Sequence, residues 1–170
     1  MSVRPVSGRA RVLGDDINTD YLISSSRKKE SLDPAVLSSY LLEDVDPAFA
    51  ASVRQGDILV AGRNFGCGSA MEVAVTVLLG AGIGTVIAKS FSRTYWRNAI
   101  NNGLLVIVAD TSQVAEAEAL ELRFPGGQPE LHAGAAPARR IACEPVSDFM
   151  LAMREAGGLV PYLRQHRTLA

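Results

Sequence analysis

Asp57-Ile-Leu-Val-Ala-Gly-Arg-Asn-Phe-Gly-Cys-Gly-Ser69 decides the fold. It opens as a short apolar run over Asp57–Ala61 and continues as a loop with glycine at 62, 66 and 68. From Ser69 to Gly82 the residues Ala74, Val75, Leu78, Leu79 and Ala81 recur at helical spacing. That reads strand, loop, helix. Thr85–Ala88 is a second, β-branched run; Ser92–Asn101 reads as a helix ending near Asn102-Gly103; Leu104–Val108 is a third apolar run, closed by Asp110. A βαβαβ order predicts parallel strands joined by right-handed crossovers, hence the α/β class.

Working outward, Gly8–Leu13 reads as a strand and Gly14–Asp20 as a turn. Asp33-Pro34 and Asp46-Pro47 each place proline at the first position of a short helix behind an aspartate cap. Ser24-Ser-Ser-Arg-Lys-Lys-Glu-Ser31 is polar throughout and is expected to be an exposed, mobile loop. Downstream, Pro125–Pro129 and His132–Pro137 are turn-rich and separate strand candidates at Leu120–Phe124 and Arg139–Cys143. Val146–Ala156 then forms an amphipathic helix stopped by Gly157-Gly158. No internal repeat or linker interrupts the chain, so residues 1–170 are expected to form a single domain.

The composition is 48% apolar and 21% charged, and 17 Lys+Arg nearly balance 18 Asp+Glu. Nothing in that balance favours nucleic acid or an anionic membrane as partner. No run of about 18 apolar residues and no signal-like N-terminus is present, so a cytoplasmic location is expected. Cys67 and Cys143 are the only cysteines, with His132 and His166 as the other soft ligands. That inventory cannot build a zinc or iron–sulfur site, so no metal is expected on this chain.

Within the glycine loop, Ser69 and Glu72 fit a capping box, in which the serine caps a helix starting behind it. The same loop also suits an anion: glycines allow close approach, and backbone N–H groups with the helix dipole attract negative charge. On the residues alone both readings stand.

Asn64-Phe-Gly-Cys-Gly-Ser69, Ala88-Lys-Ser-Phe-Ser-Arg93 followed by Arg97–Gly103, Asn18-Thr-Asp20, and Gly157-Gly-Leu-Val-Pro-Tyr-Leu163 together resemble the small subunits of 3-isopropylmalate dehydratase and homoaconitase. The segments follow in order from residue 8 to 163. This resemblance implies the swivelling β/β/α domain of the aconitase superfamily, with a central, largely parallel sheet. It also implies a separate large subunit as partner, carrying a [4Fe–4S] cluster, so that this chain binds no cofactor itself. The reaction implied is dehydration and rehydration of a substituted malate, with 3-isopropylmalate in leucine biosynthesis first. Homoaconitate, a methylmalate or a dimethylmalate are the alternatives within the class. By the same resemblance Ser69 is the base that removes a proton from carbon, and Gly68 and Ala70 flank it in the substrate site.

At one point the chain departs from the family. Its usual continuation is Ser-Arg-Glu-His-Ala, whose arginine contacts a substrate carboxylate, whereas this chain reads Ala70-Met71-Glu72-Val73-Ala74. Losing a bidentate guanidinium from a dianion site costs a few kcal/mol unless another cation replaces it. The polar loop, which the resemblance makes a substrate lid, offers Arg27, Lys28 and Lys29. Arg27 is favoured because its guanidinium grips a carboxylate with two donors; the alternative is a solvated charge cluster. Asp20 is either a site residue that orients a hydroxyl or an Asx-turn cap. Cys67 reads as a small packing residue, Tyr95 and Trp96 as core or interface aromatics, and Lys89 and Arg93 as facing either the site or a subunit interface. When isolated, the chain is expected to be inactive and is a candidate homo-oligomer. From a different class, a flavodoxin-like phosphate binder using Gly62–Ser69 fits the βαβ pattern, although no acidic ribose ligand follows at the required spacing.

Overall fold

A computed structural model describes residues 3–167 of the chain. Its strands are β1 (Val6–Val12), β2 (Ile58–Ala61), β3 (Thr85–Ala88), β4 (Leu105–Val108), β5 (Ala119–Arg123), β6 (Glu130–Ala133) and β7 (Arg139–Ala142). They form one seven-stranded sheet in the order β4-β3-β2-β1-β5-β6-β7. Pairing is parallel from β4 to β1 and antiparallel from β1 to β7, so β1–β4 and β6 run one way while β5 and β7 run the other.

The two edges of this sheet meet. Ala109, just past β4, bridges Cys143, just past β7, and the Glu144 N–H donates to the Val108 carbonyl at 2.8 Å. The sheet therefore curls into a barrel, which removes its exposed edges. Alternate residues such as Val60, Ile87, Ile107, Leu122 and Leu131 point inward to one core. Leu59, Val86 and Val106 point outward to a second core beneath the helices. Burial on both faces explains why β2–β4 read as continuous apolar runs, whereas β5 alternates.

The helices are α1 (Thr19–Leu22), α2 (Pro34–Leu37), α3 (Phe49–Ser52), α4 (Val73–Gly80), α5 (Arg93–Asn101), α6 (Asp148–Ala156) and α7 (Leu159–His166). Of the two crossover helices, α5 lies where the sequence places it, whereas α4 starts at Val73, four residues after Ser69. Asp33 caps α2 and Ser147 caps α6, each through its side chain, and Gly157 ends α6 in the left-handed conformation. None of the helices among the described residues is long and apolar enough to cross a membrane.

Several sequence expectations need correcting. Behind Asp46-Pro47 the helix starts only at Phe49, with the Ala48 N–H donating to Asp46 Oδ1 at 3.0 Å. β6 takes in His132 and Ala133, the start of the stretch expected to be turn-rich, and α7 follows α6 after only Gly157-Gly158. Residues 24–31 are not a featureless loop: Arg27–Lys29 form a 3-10 turn pinned by side-chain pairs. A flavodoxin-like sheet is excluded because this sheet turns antiparallel beyond β1 and curls so that one face encloses a barrel core.

Candidate active site

The turns after β1, β2 and β3 leave from one edge, the carboxyl ends of parallel strands, where α/β folds place their ligands. Isolated bridges carry the parallel pairing beyond the strands, Asn18 to Cys67 and Phe65 to Phe91, so the glycine loop lies between its two neighbours. The Gly66 N–H donates to Ile17 O, the Thr19 N–H to Cys67 O and the Ser92 hydroxyl to Gly66 O, each at 2.8 Å. Finally, Thr19 Oγ1 donates to Ser69 O at 2.9 Å.

Two glycines are required by this geometry. Gly66 and Gly68 have φ of 78° and 96°, and a Cβ would overlap the Tyr95 ring at Gly66 and the Asn18 amide at Gly68. Phe65 anchors the loop from below, edge-on to Tyr95 at 5.1 Å, and the Tyr95 hydroxyl donates to Ala74 O at 3.1 Å. Tyr95 is thus a core residue, its phenol pushed well above the usual range by burial.

Ser69 is not a helix cap. α4 begins at Val73, behind Glu72, and neither residue receives a side-chain cap bond. The left-handed Gly68 and the grip of Thr19 on the Ser69 carbonyl hold residues 69–71 in a turn, in which the Met71 N–H returns to Ser69 O at 2.9 Å. The helix can start only after that turn. Gly68, Ser69 and Ala70 are all exposed. Among the described residues, the Ser69 hydroxyl and the N–H groups of Gly68, Ser69 and Ala70 have no partner within the chain. An exposed hydroxyl beside three uncommitted donors is an arrangement that can hold an oxyanion.

Met71 turns the other way. It is 5% exposed and belongs to the helix-side core, with the Ser25 hydroxyl 3.9 Å from its sulfur. Asp20 is half-buried, and its carboxylate accepts from Ser25 Oγ at 2.7 Å. The Asx-turn role belongs instead to Asn18, whose side chain accepts from the Asp20 N–H at 2.9 Å. Asp20 and Met71 therefore meet at Ser25, at the start of the polar segment 24–31. Arg27 does not join them: it grips both oxygens of Glu43 at 2.8 and 2.9 Å, reaches Glu30 at 3.2 Å, and stacks 3.9 Å from the centre of the Tyr40 ring. Hydrogen bonding from Arg27 holds the Glu43 carboxyl below its ordinary range. Lys28, half-buried beside it, has no carboxylate partner among the described residues.

Sequence reasoning passed over Thr19 and Ser25. Thr19 stood inside a quoted motif, but nothing in a sequence shows that its hydroxyl reaches a carbonyl fifty residues away.

A barrel-type α/β domain with an exposed glycine-rich loop at the carboxyl ends of its parallel strands is the class that this geometry defines. Residues 24–112 match the model of the aconitase C-terminal domain family. The 3-isopropylmalate dehydratase small subunit 1 of Methanopyrus kandleri is 40% identical over 163 residues, covering 94% of this chain and 93% of the relative. The methanogen homoaconitase small subunit of Methanocaldococcus jannaschii is 37% identical over 164 residues, with 96% and 94% covered. The crystal structure of 3-isopropylmalate dehydratase from Methanocaldococcus jannaschii superposes with a TM-score of 0.89 at 37% identity, covering 96% of each chain. The chain belongs to the aconitase C-terminal domain family, among the 3-isopropylmalate dehydratase and homoaconitase small subunits, and is a hydro-lyase subunit.

An iron–sulfur cluster does not fit the residues of this chain. Cys67 sits in the glycine loop and Cys143 at the barrel seam, and burial pushes the Cys143 thiol up to about 11. Among the described residues, no three His, Cys, Asp or Glu side chains converge on a metal position.

Proposed function

We propose that this chain works with a large subunit to isomerise a substituted malate, 3-isopropylmalate in the first instance, as a cytoplasmic step of leucine biosynthesis. The observation that carries the proposal is Ser69: an exposed hydroxyl that, like the three N–H groups beside it, has no partner among the described residues. A serine is a poor base until its alkoxide is stabilised, and those N–H groups lower the cost of the charge. Ser69 Oγ then takes the proton from the carbon adjacent to the one that bears the hydroxyl. The C–H electron pair becomes the alkene as the C–O bond breaks, and the hydroxyl leaves as water with a proton from the partner's side of the site. Rehydration at the neighbouring carbon returns the proton from Ser69. The cluster implied by the family resemblance would be a group of the large subunit, and no step assigned to this chain runs through it.

The substrate's second carboxylate meets no arginine at position 71, because that position holds a methionine turned into the core. The cation we assign in its place is the unpaired Lys28 of the lid, with Arg27 as the anchor that sets the lid's position against Glu43. Asp20 and Ser25 orient the lid over Gly68, Ser69 and Ala70. The same methionine favours a second reading, a relative of homoaconitase or a methylmalate or dimethylmalate isomerase whose substrate meets this altered wall. Reconstitution with the large subunit, followed by turnover on each of these acids in parallel, tests the assignment. Preference for 3-isopropylmalate supports the first reading, and preference for another acid the second.

A further inference from the structure

The carboxyl-end face carries, beside the glycine loop, a group of cations that the reaction does not use. Lys89, Phe91, Arg93, Trp96, Arg97 and Glu144 line a cavity of about 400 Å³. It adjoins a second, of about 660 Å³, that shares Lys89 and Glu144 and adds Arg63. This surface is fixed to the Ser69 loop: the Lys89 N–H donates to Gly62 O at 3.0 Å and the Asn64 N–H to Ser90 Oγ at 2.8 Å.

Folding gives no reason for these charges. Arg93 is the first residue of α5, the positive end of the helix dipole, where a cation is unfavourable. Arg97 lies one turn on, a like-charge pair at i,i+4 that also costs stability. The nearest carboxylate to Lys89 is Asp110 at 3.9 Å, and Arg63, Arg93 and Arg97 have no carboxylate partner among the described residues. Elsewhere Arg9, Arg11, Arg27 and Arg139 are each paired with a carboxylate, whereas here three unpaired arginines gather on one face. Residues that break local rules together, on one face, point to a demand from outside the chain.

We infer that this groove docks an acidic segment of the large subunit. The inference rests on the reading of the chain as a small subunit. Phe91 and Trp96, edge-on at 5.3 Å, form an apolar floor ringed by guanidinium groups, and tryptophan and arginine are the residue types that dominate binding at protein interfaces. The groove is continuous with the exposed Ser69 loop, which a partner must cover to exclude water from the reaction. Carboxylates on that partner complement the four cations and set the register of the two half-sites.

The test measures association of the purified chain with its own organism's large subunit by titration calorimetry at two salt concentrations. R93E/R97E is expected to weaken the complex at least about tenfold and to flatten its salt dependence. Turnover at saturating large subunit should stay within about twofold of the unmodified pair. R54E, the same charge reversal away from the groove, should leave association unchanged. R93Q/R97Q should weaken association while raising the unfolding temperature of the isolated chain, because the repulsion within α5 is relieved. Unchanged association of both groove variants would overturn the inference, and a raised KM for the malate alone would reassign the groove to the small anion. If the unmodified chain forms no complex at all, the small-subunit reading fails and the docking surface with it.

Discussion

Thr19 Oγ1 donates to the carbonyl of Ser69 at 2.9 Å, tying the turn after β1 to the residue that presents the exposed hydroxyl. Ser69 is thus held through its backbone, while its side chain has no partner among the described residues.

Thr19→Val removes this tether and keeps the shape of the buried side chain. Because the Ser69 carbonyl is left facing water, the loss of stability should be about 1 kcal/mol. Turnover of the reconstituted enzyme should fall by roughly tenfold to a hundredfold, since a displaced hydroxyl is a misaligned base. Urea unfolding beside steady-state kinetics checks both, and a drop in stability without a drop in turnover would remove Thr19 from the positioning of Ser69.

Two glycines in the loop differ in what a methyl group would strike. Gly66→Ala should destabilise by about 3 kcal/mol, because left-handed strain is added to an overlap with the buried Tyr95 ring, which cannot retreat. Gly68→Ala meets only the short Asn18 side chain and should cost about 1 kcal/mol in stability, yet it disturbs the Asn18 cap and the exposed turn. The prediction is an inverted order: Gly66→Ala worse in chemical denaturation, and Gly68→Ala the worse for turnover per folded molecule.

The polar segment 24–31, the proposed lid, is fastened by Arg27 and Glu43. Since Arg27 lowers the Glu43 pKa from its ordinary 4.5, the carboxylate's contribution is fully present above that value and is lost as the pH falls below it. The Arg27 side-chain N–H signal should accordingly be well resolved in NMR spectra near neutrality and lose its protection on acidification. Glu43→Gln should reproduce the loosened state at neutral pH, seen as faster tryptic cleavage after Arg27, Lys28 and Lys29 with other sites unaffected. Equal cleavage rates would mean that the 3-10 turn, not the ion pair, holds the lid.

Lys28→Ala should raise KM for the malate by about tenfold with kcat little changed, the pattern of a lost ground-state contact. Lys29→Ala, at an exposed position, is the control. Should Arg27→Ala raise KM more than Lys28→Ala while the lid stays closed by the tryptic criterion, the arginine is the carboxylate ligand after all.

The strand, loop and helix around Gly62–Ser69 were legible because their signals are local: unbroken apolar runs, glycines at short spacing and a helical repeat. β6 was not, because its four residues, two of them in the stretch read as turn-rich, gain their strand character only from pairing with β5 and β7. The capping box misled for a related reason. Its residue types were right, but a contact from Thr19 and a left-handed Gly68 delay α4 to Val73. Arg27 was chosen for its chemistry, and its tie to Glu43 is a tertiary fact that no spacing in the lid could show. Asp20 and Met71 were found as positions, whereas the hydroxyl of Ser25 that lies between them was not.

The most direct measurement compares Ser69→Ala with the unmodified chain in the reconstituted enzyme, reading turnover, KM and thermal unfolding together. As a base with no structural bond to lose, Ser69 predicts a fall in turnover of about a thousandfold or more and KM within about tenfold. The unfolding temperature should move by no more than about 1 °C, because among the described residues only the Ser69 backbone, not its hydroxyl, makes a hydrogen bond. Normal turnover in the alanine variant, with or without a loss of stability, would contradict the account.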